Sequence, residues 1–286
     1  MKKFEFTGEV NPQGLKRIRA LVDLPKMGVK AGDLGGFLEK EDNLTHAGSC
    51  WVSINARIWG DACLEGNARI WGNACLWGNA RIMGNARIEG NTCIWGNARI
   101  EGNARIEGNA RIEGNTCIWG NARIEGDARI EGDARIEGDA RIEGNARIWG
   151  DARIGGNAHI GGNAHIGGNA RIGGNAHIGD NASIWGDARI EGNACIWGNA
   201  HIEGDARIWG DALISNAQDY LTVSPVGSEN GILTVFRSEK GLSVTRGCFE
   251  GTLEAFEEAV KTQHKDTQYE TEYLLLINYV KNRFGV

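Results

Sequence analysis

The chain has 286 residues, with 31 Lys and Arg against 37 Asp and Glu, and a formal net charge of −6. This balance offers no basic surface for nucleic acid, and no apolar stretch or N-terminal pattern indicates a membrane span or a secretion signal. The seven cysteines lack the spacing of a disulfide scaffold, which favours a cytoplasmic location.

Residues 1–49 predict an N-terminal β cap for the repeat that follows. Two strand-like segments, FEFTGEV and LKRIRALVDL, come before the sequence VKAGDLGGFLEKEDNL. A stack of repeated strands needs such a cap, because its open end would otherwise expose strand edges and apolar side chains.

The central part of the chain is a hexapeptide repeat. An aliphatic anchor recurs every six residues from Val52 to Ile214, giving 28 hexads without an insertion, and Ala stands two positions before each anchor except at Cys50, Thr92 and Thr116. Arg-Ile-Glu and Arg-Ile-Trp alternate polar and apolar residues, as a short strand with one buried face does. Gly-Asn and Gly-Asp accept a positive φ and predict corners. A strand this short cannot bury its Ile alone, so the hexads must coil and stack.

The pattern Ile-Glu-Gly-Asn-Ala-Arg resembles the repeat of the hexapeptide-repeat, left-handed parallel β-helix superfamily. The resemblance covers residues 50–216 and implies a triangular prism of about nine coils, with three hexads in each coil. The handedness follows from the resemblance alone, since it departs from the usual right-handed crossover. The strict period of six excludes a pentapeptide-repeat helix.

Residues 217–286 predict a small C-terminal α+β domain. The segments ILTVFRS and LSVTRGCF predict a hairpin, and GTLEAFEEAVKTQ and YETEYLLLINYVKNRF predict two helices, the first capped by Thr252. The apolar surface of the second helix favours self-association, with a homo-oligomer formed through this domain, or docking of a protein partner. The sequences GDLGGF and GCFEGTLEAFE resemble bacterial and phage-type repeat proteins sometimes labelled acyltransferases, and this resemblance carries no assigned activity.

Trp and charged residues form columns, because positions 18 residues apart lie on one face of the coil. Trp59, Trp77 and Trp95 form a candidate binding platform for a protein or for a planar or sugar ligand, although stacked indoles can also simply cover and stabilise the strands. Parallel columns of Arg and Glu predict a lattice of salt bridges, each worth little. Asp127, Asp133 and Asp139 fall on three successive corners and indicate either an acidic belt or an interchange of Asn and Asp.

A second candidate site lies in residues 154–180, where Gly replaces the bulky outward residue and His replaces Arg. This waist is explained by drift of the repeat sequence, with close packing of another chain as the alternative. A straight column of imidazoles does not surround a metal ion, so no metal site is predicted. The candidate binding residues here are Gly155, Gly161, Gly167, Gly173, His159, His165 and His177.

Two functions remain open from the sequence. The first is a non-catalytic rigid scaffold or protein-binding module, phage-related, that needs no cofactor. The alternative is an acyltransferase that uses acetyl-CoA, the chemistry implied by the superfamily, in which a His activates an acceptor hydroxyl or amine. The sequence favours the scaffold, because the repeat has no extruded loop and no acid outside the repeat that could orient a His. No catalytic residue is therefore predicted.

Overall fold

The N-terminal segment forms three antiparallel strands in the computed structural model, which describes residues 1–286. They are β1 (Phe4–Val10), β2 (Lys16–Ala20) and β3 (Leu34–Leu38), with short 3-10 turns at Pro25–Met27 and Glu41–Asn43. β1 pairs with β2 and β2 with β3, and β3 then pairs in parallel with the repeat strand Arg57–Ile58. The cap is therefore continuous with one face of the repeat.

The repeat folds as a left-handed parallel β-helix with three faces. Its strands, β4 to β31, are two residues long and occur every six residues, from Trp51–Val52 and Arg57–Ile58 to Leu213–Ile214. They form three parallel sheets of 9, 10 and 9 strands, and β1 to β3 extend the first of these to 12 strands. The prediction of a mainly β, triangular coil is confirmed.

The core of the β-helix is a narrow stack of Ile and Ala. Every strand pairs with the strand 18 residues later, so that Ile88 faces Ile106 and Ile106 faces Ile124. The repeat anchors are at most 2% exposed. Burial of each contributes about 2–3 kcal/mol, so stability grows with the number of coils.

The β-helix begins one coil earlier than the gapless repeat predicts. Leu38 lies beneath Ile58 in β3, and Leu44 forms a parallel bridge with Leu64. Together with Val52, these residues form an irregular first coil, which makes ten coils in all. Leu38 and Leu44 are six residues apart like the other anchors, but the step from Leu44 to Val52 is eight residues and hides the period.

The C-terminal part contains a four-stranded antiparallel sheet and two helices. The elements are β32 (Tyr220–Val226), β33 (Gly231–Ser238), β34 (Gly241–Arg246), β35 (Phe249–Thr252), α1 (Leu253–Gln263) and α2 (Gln268–Phe284). The hairpin of β33 and β34, the two helices and the Thr252 cap agree with the sequence prediction, whereas β32 and β35 were not predicted. Neither helix is both long and apolar enough to cross a membrane.

Strand β33 closes the end of the β-helix. The ring of Phe236 is 1% exposed and belongs to the same buried cluster as the repeat anchors. Two buried threonine hydroxyls complete the junction. The hydroxyl of Thr234 accepts a hydrogen bond from the backbone N–H of Arg207, and that of Thr245 donates one to the backbone carbonyl of Arg207. These contacts satisfy backbone groups that the last coil would otherwise leave open.

Corner glycines are required by close contact between coils. Gly138, for example, has φ 71°, and a Cβ there would lie 2.7 Å from the carbonyl oxygen of Gly156 in the next coil. Beside the glycines, corner Asn side chains form ladders in which each amide donates to the Asn or Asp 18 residues later, as from Asn103 to Asn121 at 3.0 Å. The corners are therefore fixed by both backbone conformation and side-chain hydrogen bonds.

Candidate functional site

A polar groove of about 610 Å³ runs along one side of the middle coils. Strands of the 10-stranded sheet supply Arg and His to it, and the adjoining corner supplies Asn and Asp. The residue before each Ile anchor points outward and stacks at intervals of 18, so the groove repeats the same donors coil after coil. It is lined by Asn103, Arg105, Asn121, Arg123, Asp139, Arg141, Asn157, His159 and His177.

The arginines of this groove have no carboxylate partner. No Arg of the repeat lies within 4.0 Å of an Asp or Glu oxygen, so the predicted lattice of Arg–Glu salt bridges is wrong. The reason is the register, which places Arg105 opposite Arg123 and Arg123 opposite Arg141 rather than opposite an acid. The result is a column of unpaired guanidinium groups suited to an anion.

His159 and His177 continue the arginine column at one end of the groove. The register places His159 above Arg141 and His177 above His159. The two imidazole rings meet edge to face, with centroids 5.7 Å apart. The column therefore changes from guanidinium groups to imidazoles at this end of the groove.

Glu143 provides an acid beside His159 that sequence reasoning missed. Its Oε2 lies 3.4 Å from Nε2 of His159, which is shielded from solvent and has no aligned hydrogen bond. Glu143 occupies an ordinary repeat position on the preceding coil, two residues after Arg141, so the contact is diagonal across two strands. The sequence analysis looked for an acid only outside the repeat, whereas the acid beside His159 is a residue of the repeat itself.

The candidate glycines differ in what surrounds them. A Cβ on Gly161 or Gly179 would meet nothing within 4 Å, so these two stacked positions form an open strip beside His159 and His177. At Gly167 a Cβ would lie 2.5 Å from Nε1 of Trp149, whose indole fills that space. Of the remaining predicted glycines, Gly155 lies against Glu137 and Gly173 near Glu191. The waist is open on one face only.

His165 lies away from the groove, on the face that carries the Trp column. Its ring contacts Trp149 at a centroid distance of 5.7 Å, and Trp149 meets Trp185 edge to face at 4.7 Å. The structure thus brings His159 and His177 together but separates His165 from them. No three His, Cys, Asp or Glu side chains converge as the ligands of a metal ion would.

The three predicted tryptophans form one continuous stack. The rings of Trp59 and Trp77 are 5.0 Å apart and those of Trp77 and Trp95 are 4.8 Å apart, with planes within 5° of parallel. The indole faces therefore cover one another, and the column presents ring edges to solvent. A ligand could stack only on an outer face, such as the free side of Trp59 beside Arg57 and Glu39. The role of this column in binding stays a prediction.

Comparison with known proteins gives a family match within the repeat. The family model described as "Bacterial transferase hexapeptide (six repeats)" matches residues 157–192, a stretch that contains both His159 and His177. No curated protein matches the chain.

Three solved structures show similarity at low sequence identity. The UDP-N-acetylglucosamine acyltransferase of Campylobacter jejuni is 21% identical, with a TM-score of 0.28, over 56% of this chain and 72% of its own. The UDP-N-acetylglucosamine O-acyltransferase of Moraxella catarrhalis is 15% identical, with a TM-score of 0.29, over 84% and 92%. The Francisella novicida UDP-N-acetylglucosamine acyltransferase is 18% identical, with a TM-score of 0.25, over 58% and 62%. At these values the similarity identifies no activity.

Proposed function

We propose that this hexapeptide-repeat β-helix protein is an acyltransferase that uses an acyl-CoA donor, with His159 as its general base. The observation that carries the proposal is the position of His159: it ends a column of unpaired arginines, lies 3.4 Å from Glu143 and borders the open strip at Gly161. An anion-binding column, a base and room for an acceptor are the three parts that such a reaction requires.

The proton transfer can be assigned to named atoms. When Nε2 of His159 carries a proton toward the Glu143 carboxylate, Nδ1 is left free to accept a proton from the attacking hydroxyl or amine. The acceptor would form its bond to the acyl carbon as the bond from that carbon to the CoA sulfur breaks. The resulting imidazolium would be stabilised by the nearby negative charge of Glu143 and would give its proton to the departing thiolate. His177, edge-on to His159, lines the same end of the groove and can contact the acceptor.

The arginine column suits the phosphate groups of the donor. All nine residues of the groove are polar, and Arg105, Arg123 and Arg141 supply guanidinium donors on consecutive coils, about 4.8 Å apart. When bound, acyl-CoA would supply the activated acyl group, whereas the side chains described here bind, orient and deprotonate. The match of the transferase family model to residues 157–192 also supports this assignment.

Self-association is part of the proposal. The groove is open to solvent and the repeat extrudes no loop that could cover it, so a second copy is the natural source of the missing wall. On the C-terminal domain, Leu275 and Tyr279 of α2 are 65% and 51% exposed and form a small apolar patch one helical turn apart.

The seven free cysteines agree with a reducing cytoplasm.

A scaffold that binds a protein partner is the second candidate. It is favoured by the Trp column, since one protein face carries Trp59, Trp77 and Trp95 in a row with exposed ring edges. Such aromatic edges are enriched where proteins dock. The scaffold and the phage association stay predictions.

Calorimetry of CoA binding and an acetyl-transfer assay together test the acyltransferase proposal. We expect CoA to bind the purified chain, Arg123→Gln to weaken binding about tenfold or more, and His159→Gln to bind CoA normally but lose transfer about 100-fold or more. The acceptor panel consists of nucleotide sugars, amino sugars and simple amines. The matched control is His201→Gln, because His201 lies 3.4 Å from Glu203 outside the groove and should leave both measurements unchanged.

Absence of CoA binding by the full-length chain would refute the donor assignment. Equal loss of transfer in the His159→Gln and His201→Gln variants would refute the catalytic assignment. Binding without transfer to any acceptor in the panel would leave the groove as a nucleotide-binding surface, and would count against the enzyme and in favour of the scaffold.

A further inference from the structure

The C-terminal domain contains a small cavity of its own, of about 210 Å³. It lies between the turn that joins β34 to β35, the last turns of α1 and the first half of α2. Aromatic and aliphatic side chains form about half of its wall, and the polar half includes Arg246 and His264 together with Ser228, Glu229 and Gln263. The principal lining residues are Arg246, Phe249, Phe256, Val260, His264 and Tyr273.

Arg246 is a buried cation without an adequate partner. Its side chain is only 9% exposed, and its Nε is buried without any acceptor. Nη2 donates to the carbonyl of Val226 at 2.8 Å, but the nearest carboxylate oxygen, on Glu229, is 3.8 Å from Nη1 and belongs to a side chain that is 81% exposed. A charge-assisted hydrogen bond between such groups is normally about 2.7–2.9 Å long. Burial of a charge is costly unless it is paired, so the long contact with the exposed Glu229 carboxylate leaves room for a closer anion at Arg246.

Two glycines create the space in which the guanidinium lies. A Cβ on Gly231 would be 2.5 Å from Nη1 of Arg246, and a Cβ on Gly227 would be 1.9 Å from the hydroxyl oxygen of Tyr273. The turn between β32 and β33 is thus free of side chains where Arg246 and Tyr273 approach it. The cation is held against backbone in a fixed orientation, as binding sites for planar anions require.

We propose that this cavity binds a small organic anion, a carboxylate attached to one aromatic or branched aliphatic group. Arg246 pairs with the carboxylate, and Phe249, Phe256 and Val260 contact the apolar body. A dry cavity of about 150 Å³ accommodates one benzene ring, so 210 Å³ leaves room for a ring and its carboxylate. This site is separate from the groove of the β-helix and does not depend on the acyltransferase proposal.

Titration with benzoate, followed by amide chemical shifts of the full-length protein, tests the proposal. We expect benzoate to shift residues 246–273 with saturation, and benzyl alcohol, its neutral counterpart, to bind about tenfold more weakly or worse. Arg246→Gln should abolish the preference for the anion. Ala259→Leu, which fills the cavity and keeps the charge, should abolish binding of both probes.

The results of the benzoate titration can support or refute the anion site. If neither variant changes the benzoate shifts, or if benzyl alcohol binds as tightly as benzoate, the anion site is refuted. If Arg246→Gln does not fold, Ala259→Leu still decides, because Ala259 is partly exposed at the cavity wall and its enlargement spares the salt bridges and hydrogen bonds of the domain. Failure to shift any residue with benzoate at saturating concentration also overturns the proposal.

Discussion

Oε2 of Glu143 lies 3.4 Å from Nε2 of His159, on the neighbouring coil, at the point where the arginine column ends. If His159 is the general base, loss of the carboxylate removes the charge that stabilises its protonated form. We expect Glu143→Gln to lower the rate of acyl transfer about tenfold or more without weakening CoA binding. Steady-state kinetics and calorimetry on the same preparation measure the two effects.

The control for this prediction is Glu125→Gln, one coil away in the same column and with no His within reach. It should transfer acyl groups at the normal rate. An unchanged rate in Glu143→Gln would remove Glu143 from the mechanism.

Trp77 is held between Trp59 and Trp95, so its truncation removes two stacking contacts. We expect Trp77→Ala to reduce the free energy of unfolding by about 2–3 kcal/mol, as the sum of two aromatic pairs and lost apolar burial. Chemical unfolding monitored by circular dichroism measures it. Trp197→Ala is the matched control, because Trp197 occupies the same repeat position, is 39% exposed and stacks on no other ring. Equal losses in the two variants would argue against stabilisation by the column.

Asp133 and Asp151 occupy one corner on successive coils and interrupt an Asn ladder. Asp133 accepts a hydrogen bond from Asn115 at 2.7 Å but has no proton to donate in turn to Asp151, and the two carboxylates repel. We expect Asp151→Asn to raise the free energy of unfolding by roughly 0.5 kcal/mol, with the gain shrinking at high salt. Urea unfolding at low and high ionic strength measures this.

Asp139→Asn removes the same charge where the next residue in the corner is Asn157, so it serves as the control for charge alone. A gain as large as that of Asp151→Asn would show that net charge, rather than the adjacent pair of acids, limits stability.

The sequence predicts the repeat well because each hexad contains the residues that specify its own strand, corner and buried face. Ile, Ala and Gly occur at fixed offsets, and a single period determines the strands, the corners and the buried face from Val52 to Ile214. The first coil was missed because the step of eight residues from Leu44 to Val52 breaks that period. β32 was missed although its Leu-Thr-Val-Ser segment alternates apolar and polar residues, because it follows directly on the point where the repeat ends.

The candidate sites were less predictable because they depend on contacts between coils or between elements. Stacking at intervals of 18 correctly predicts that His159 and His177 adjoin, but the pairing of His159 with Glu143 is diagonal and depends on side-chain conformation. The expected Arg–Glu lattice failed because the register places like residues opposite each other. Nothing local to Arg246 indicates that Gly227 and Gly231, 19 and 15 residues earlier, make room for its burial.

Glu257 joins the two helices of the C-terminal domain and should make their stability depend on pH. Hydrogen bonds from Lys261 and Lys281 hold the pKa of its carboxyl below the ordinary value of 4.5. A depressed folded-state pKa contributes stability that is present above the unfolded value and is lost as the pH falls through the folded value. We expect Glu257→Gln to cost about 0.5–1 kcal/mol at neutral pH and progressively less below pH 4.5.

Thermal unfolding of the native protein and of the Glu257→Gln variant, from pH 7 to pH 3, measures the difference in their stability. Glu239→Gln, in the exposed turn between β33 and β34 and in no salt bridge, is the control and should unfold like the native protein at every pH in this range. A constant gap between Glu257→Gln and the native protein, down to the lowest pH, would contradict the assigned linkage.

The exposed face of α2 provides the last test, because it can separate self-association from folding. Tyr273, Ile277, Val280 and Phe284 point into the domain core, so only the outer apolar positions are free for a second copy. Of these, Leu275 is 65% exposed, and its replacement should not disturb the core. We expect Leu275→Glu to lower the mass measured by light scattering from that of an oligomer to that of one chain, with circular dichroism unchanged. Lys265→Glu, at an exposed position between the helices, should keep the native mass. If Leu275→Glu also keeps it, the interface lies elsewhere, and the open strip at Gly161 and Gly179 becomes the surface to test.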